Sequence, residues 1–275
     1  MPAYSLVHSD GLAPPEPTLS RQIGRWKAFL VMAVGFLTLL GACHRTADET
    51  VPTPPLEQPW QAHFELIRSG QPGPARIRLR QAIDAGEEDS RALFLMGLSH
   101  HWERRYGLAE KWFEQAALAS PAYPPAMHFL GWARYHTGNA HGSEQAFHQH
   151  LQMQPQEGDS HFALGVIALE RGDLQTADLH FIRAIELQRH LPERQDGVGK
   201  ALARRAEVVQ AQGGPLNEAA ALLQEAVTLD PDLYEAYFNL ARILRRLNRM
   251  DEADAAEMIG FQTRSRLDAQ RVRPR

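Results

Sequence analysis

One cysteine, Cys43, stands among 275 residues, so the chain cannot close a disulfide on itself and must draw its stability from packing. An excess of one charge is missing too. Lys and Arg number 29 against 33 Asp and Glu, and the net −4 offers no broad attraction for nucleic acid. No apolar run comfortably reaches membrane-spanning length. The best, Ala28 to Leu40, has 13 residues and covers about 20 Å, against about 30 Å of hydrocarbon. Catalytic signatures are absent as well: there is no Gly-x-Ser-x-Gly elbow and no His-Glu-x-x-His. The one stretch similar to a phosphate loop, Arg194 to Ala201, has Arg194 in place of the first glycine and Ala201 in place of the Ser or Thr. The chain reads as a non-enzyme with no cofactor and no metal.

What is present is a period. Gly97, Gly131 and Gly165 lie 34 residues apart, and each is followed sixteen residues later by Phe113, Phe147 or Phe181. Glycine inside a helix costs about 1 kcal/mol relative to alanine, so its recurrence at fixed spacing implies a repeated close approach between helices. The columns Met96-Gly97, Leu130-Gly131 and Leu164-Gly165 line up with the small residues Ala109, Ser143 and Ala177, and Pro121 and Pro155 close two copies. These columns resemble the tetratricopeptide repeat, whose 34-residue unit has small residues at its eighth and twentieth positions, an aromatic or leucine at the twenty-fourth and proline near the thirty-second.

The resemblance implies an all-α fold, a right-handed α-α superhelical solenoid of about six helical hairpins. The copies fall near 56–89, 90–123, 124–157, 158–191, 200–233 and 234–267. One pair of short helices cannot bury its apolar face alone, and stacked neighbours do so. Eight extra residues, Pro192 to Gly199, separate the fourth copy from the fifth and predict a lengthened connection. Beyond the array, residues 268–275 read as a basic, solvating tail.

The amino-terminal end carries a different kind of signal. Arg21, Arg25 and Lys27 precede the apolar run, which ends Leu40-Gly41-Ala42-Cys43. A basic segment, a short apolar core and small residues read as a secretory signal over residues 1–42. Leu-Gly-Ala-Cys resembles the bacterial lipobox, which implies diacylglyceryl transfer to the Cys43 sulfur, cleavage before it and a lipid-anchored chain. A single membrane anchor over the same run is the alternative, since the segment before it is long and includes Asp10 and Glu16. His44 is not the aspartate that retains enteric lipoproteins in the inner membrane, so the resemblance points to the outer membrane, facing the periplasm. Residues 43–55, with Pro52, Pro54 and Pro55, read as a semi-extended tether at about 3.1 Å per residue.

In the repeat family, positions two, five, nine, twelve and thirteen of each first helix face a groove that binds extended peptides or partner helices. Carried onto this chain, they give Phe94, Leu98, His101 and Trp102, then His128, Trp132, Tyr135 and His136, then Phe162, Val166 and Leu169, and a basic end of Arg204, Phe238, Arg242, Arg245 and Arg246. The implied partner is a protein or peptide with apolar anchors and an acidic or carboxylate end. The family's two-carboxylate clamp is not reproduced, because Phe94, Leu98, His128 and Trp132 stand where that clamp has lysine and asparagine. His100, His101, His128, His136, His141, His148, His150 and His161 crowd three consecutive copies, yet no two are three or four residues apart, which weighs against a helix-borne metal site. The expected role is an envelope scaffold for protein partners. The alternatives are a pilotin-like factor for a secretin or type IV pilus and a single-pass membrane-anchored adaptor.

Overall fold

The computed structural model describes residue 56 and residues 60–86, 89–119 and 122–272. Cys43, the signal segment, the tether, Pro121 and residues 273–275 lie outside the described residues. Twelve α-helices form six hairpins, with no strand among the described residues. The pairs are α1 (Trp60–Arg68) with α2 (Pro72–Asp84), α3 (Ser90–Trp102) with α4 (Tyr106–Leu118), and α5 (Pro125–His136) with α6 (Ala140–Met153). They continue with α7 (Gly158–Glu170) and α8 (Leu174–Gln188), α9 (Gln195–Ala211) and α10 (Leu216–Leu229), and α11 (Tyr234–Arg246) and α12 (Met250–Val272). Each second helix packs on the first helix of the next hairpin, which is the α-α solenoid that the period predicts. No helix among the described residues is long and apolar enough to cross a membrane.

Short dipeptides turn one helix into the next. Gly138 (φ +81°) and Gly172 (φ +80°) take the left-handed conformation that ends α5 and α7. Their amides donate to Tyr135 and Leu169 carbonyls at 3.0 Å, and the following amides of Asn139 and Asp173 donate to Arg134 and Ala168 carbonyls at 2.9 Å. The same Asn139 and Asp173 then cap the next helix, their side chains accepting from Gly142 N at 2.9 Å and Thr176 N at 3.1 Å.

The repeated glycines and phenylalanines meet. A Cβ on Gly97, Gly131 or Gly165 would stand 2.5, 2.7 or 2.7 Å from the ring of Phe113, Phe147 or Phe181 respectively. All three rings are fully buried. Ser143 takes its place in the small-residue column by donating to the Gly131 carbonyl at 2.8 Å. Gly131→Ala gains up to about 1 kcal/mol of helix propensity but forces a rigid buried ring aside, at about 1–3 kcal/mol. The expected outcome is net loss of stability, read as a lower urea midpoint. Gly107→Ala, on α4 with nothing within 4 Å of its Cβ, should instead stabilise by about 0.5–1 kcal/mol.

The eight-residue insertion does not lengthen a loop. A single 3-10 turn, Pro192–Arg194, runs straight into α9, which at 17 residues absorbs the rest as an extra amino-terminal turn. Packing explains the difference. Val198 is fully buried, and Gly199 lets α9 lie against α10, where a Cβ would come 2.8 Å from the Ala226 carbonyl. Arg194 is buried beside Asp159, which it pairs with, and Glu157 at 3.8 Å, while Gln188 donates to Asp159 at 2.6 Å. The insertion thus ties the fifth hairpin to the start of the fourth.

Candidate interaction surface

The first helices present the side chains that the repeat phase assigns to a groove, but five of them are core. Phe94, Leu98, His128, Trp132 and Val166 are only 3%, 1%, 5%, 7% and 3% exposed. The placement of these five on an open surface is corrected, because each first helix lies between two neighbours that cover it. Phe94 stacks among Phe113, Tyr123 and Phe129 at centroid distances of 5.7, 4.9 and 5.3 Å. His101, Trp102, Tyr135, Phe162 and Arg204 are half-buried, and Arg242 and Arg245 are exposed. Arg245 is spoken for, since its guanidinium pairs with Asp254 at 3.1 Å and with Glu257 on α12. Arg204 pairs with Glu207 at 2.9 Å. Arg242 meets only a neutral group, the Asn239 amide oxygen at 3.0 Å.

Beneath that surface lies a buried polar chain. Trp132 Nε1 donates to His128 Nε2 at 3.2 Å, and His128 Nδ1 and His150 Nδ1 stand 2.9 and 2.8 Å from one oxygen, Ser160 Oγ. An indole N–H can only donate, so His128 Nε2 accepts and its ring proton sits on Nδ1. That proton goes to Ser160 Oγ. The Ser160 hydroxyl is then free to donate to His150 Nδ1, which completes a directional chain from Trp132 to His150. Every link requires neutral imidazoles. Burial supplies that condition, holding His128 down to about 4 and His150 down to about 3. Around His128, Asp159 pulls weakly upward and Arg194 downward.

Above the chain the rings form a continuous strip. Tyr106 stacks on His136 at 4.2 Å, His136 lies 6.1 Å from Trp132, and Trp132 meets Tyr135 edge-on at 5.4 Å. The Tyr135 hydroxyl donates to the Glu170 carboxylate. Burial, then that carboxylate, pushes the Tyr135 phenol up. His101, 5.2 Å from Tyr106, is held at about 3 by burial and by His136 and His128. The strip can bury apolar side chains and offer one carboxylate and, farther along, Arg204 and Arg242. Sequence reasoning missed Ser160 and Glu170. Glu170 occupies the thirteenth position of its copy, which the groove phase already marks, whereas nothing in the sequence marks Ser160 as the oxygen shared by two imidazoles.

Tetratricopeptide-repeat family profiles match residues 65–126, 130–187 and 212–256. The chain is 37% identical over 107 residues to the "Cytochrome c-type biogenesis protein CycH" of Rhizobium meliloti (strain 1021). That stretch is 39% of this chain and 27% of CycH, so the chain spans about a quarter of that relative's length. Among solved structures, Pseudomonas aeruginosa PilF superimposes with a TM-score of 0.62 at 14% identity, over 72% of this chain and 86% of PilF. The Cut9-Hcn1 complex of the APC/C gives 0.60 at 16% identity, over 75% of this chain and 41% of the matched one. MamA gives 0.51 at 14%, over 63% and 97%. Likeness at these identities is likeness of fold.

Proposed function

The chain belongs to the tetratricopeptide-repeat family, and from that premise we propose that it is a non-enzymatic scaffold of the bacterial envelope, anchored by lipid on Cys43, that holds a protein partner on its first helices. The observation that carries the reading is the half-buried strip of Tyr106, His136 and Tyr135, aromatic area that neighbouring hairpins leave partly open. A partner segment that buries apolar side chains there, with an acidic group toward Arg242, fits the chemistry. The lipobox supports the outer membrane and the periplasmic side. A pilotin-like role has only shared architecture in its favour.

A second reading concerns the process served. The 37% identity to a cytochrome c-type biogenesis protein favours a partner within that pathway. Its test is the covalently bound haem content of envelope c-type cytochromes in a deletion strain, expected to fall and to recover with the full chain.

Tyr135 tests the surface. Photo-crosslinking from Trp102 and Arg242 in intact cells should trap one shared partner, and Tyr135→Ala should weaken its binding at least about thirtyfold, as for a buried aromatic anchor. The melting temperature should shift little. Trp132→Ala should lose fold and partner together. A Tyr135→Ala chain with undiminished crosslinking would exclude this surface.

A further inference from the structure

A pair of imidazoles outside the strip has no role in it. His161 on α7 and His180 on α8 bring their Nδ1 atoms to 3.1 Å, with ring centroids 5.4 Å apart at 35°. Two nitrogens bound to one tetrahedral zinc at 2.0–2.1 Å stand about 3.3 Å apart, so the fold already sets the separation an ion would impose. A third imidazole, the exposed His148 on α6, has its ring centroid 6.5 Å from that of His180. Among the described residues no three such groups stand ready around an ion. Closing the trio takes a turn of the His148 side chain, which its solvent exposure permits.

The surroundings suit a cation. Arg183 and Glu144 are the charged groups facing the pair, and each has its own opposite partner, Glu186 and Arg171, at 3.3 Å. Burial holds His161 at about 4 and lowers His180, so both rings are neutral at pH 7. One Nδ1 now carries a proton and donates it to the lone pair of the other.

We propose that His161 and His180, with His148 as the third ligand, bind one divalent zinc ion and pin the third hairpin to the fourth. The shared proton moves through solvent from Nδ1 to Nε2 of its own ring, so both Nδ1 lone pairs face the ion. Three N–Zn bonds, the third from His148, replace the hydrogen bond between His161 and His180 and the waters that the aqua ion sheds. Water fills the fourth position. The nineteen-residue separation of His161 and His180 crosses a helical hairpin, so the pair has no signature in the spacing along a single helix.

The test is zinc titration of the full-length chain in detergent, followed by calorimetry and by thermal melting. One equivalent should bind with micromolar affinity at pH 7.5 and raise the melting temperature by several degrees. His148→Ala, at an exposed position, should weaken binding about tenfold with the apo melting temperature unchanged, and His180→Ala should abolish it. His141→Ala, exposed elsewhere on α6, should change nothing. Zinc binding that survives His161→Ala and His180→Ala, or no stoichiometric binding by a folded wild-type chain, overturns the site.

Discussion

Acidification from pH 7 to pH 5 lowers the unfolding free energy by about 4 kcal/mol through His128 and His150 alone. Both imidazoles are held well below their ordinary 6.5, at about 4 and about 3, because they are buried. The unfolded chain therefore takes up their protons first. Stability is complete above pH 6.5 and falls by about 1.4 kcal/mol per pH unit per imidazole, until the folded-state values are reached. His101 and His161, at about 3 and about 4, act in the same direction. Glu157, whose carboxyl burial raises, acts in the opposite one. Against a typical total of 5–15 kcal/mol the loss is large. Urea midpoints across pH 4.5 to 7.5 measure it, and His150→Leu should remove one imidazole's share of the slope. A flat profile over that range would refute the neutral chain from Trp132 to His150.

Arg194→Ala should cost about 3 kcal/mol, the low end for breaking a buried ion pair, because the guanidinium is buried while its two carboxylates are half-buried. Asp159 and Glu157 would lose a guanidinium that lies beside both, while the Gln188 amide would remain on Asp159. The loss should be read in a background that lacks the acid. Arg194→Ala added to Asp159→Asn should cost clearly less than Arg194→Ala in the wild type, because a neutral amide needs no counter-charge. Equal costs in both backgrounds would mean that Arg194 acts through its packed stem rather than its charge.

Much of the fold is legible in the sequence because it depends on short spacings. The Gly–Phe pairs sit sixteen residues apart within one hairpin, so the period exposes both the unit and its tightest contact. The open surface is less legible. The family phase assigns Phe94, Leu98, His128 and Trp132 to it, and the helix that follows covers them. Periodicity says which face of a helix is apolar, but not how much of that face a neighbour takes. Arg194 is hidden for another reason, since it lies within an insertion that reads as a loop and its partner Asp159 is 35 residues away. The histidines divide likewise. His150 stands in the sequence as one of a crowd of histidines with no marked role, yet it is buried, and Ser160, ten residues on, meets its ring.

The two-residue junctions, Gly138-Asn139 and Gly172-Asp173, have a further consequence. Since the stop of one helix and the start of the next are encoded side by side, the angle of a hairpin owes little to anything outside it. Such a segment can be copied, lost or exchanged in evolution with its geometry intact, and the length of the array becomes a trait that selection can adjust separately from the chemistry written on any single helix.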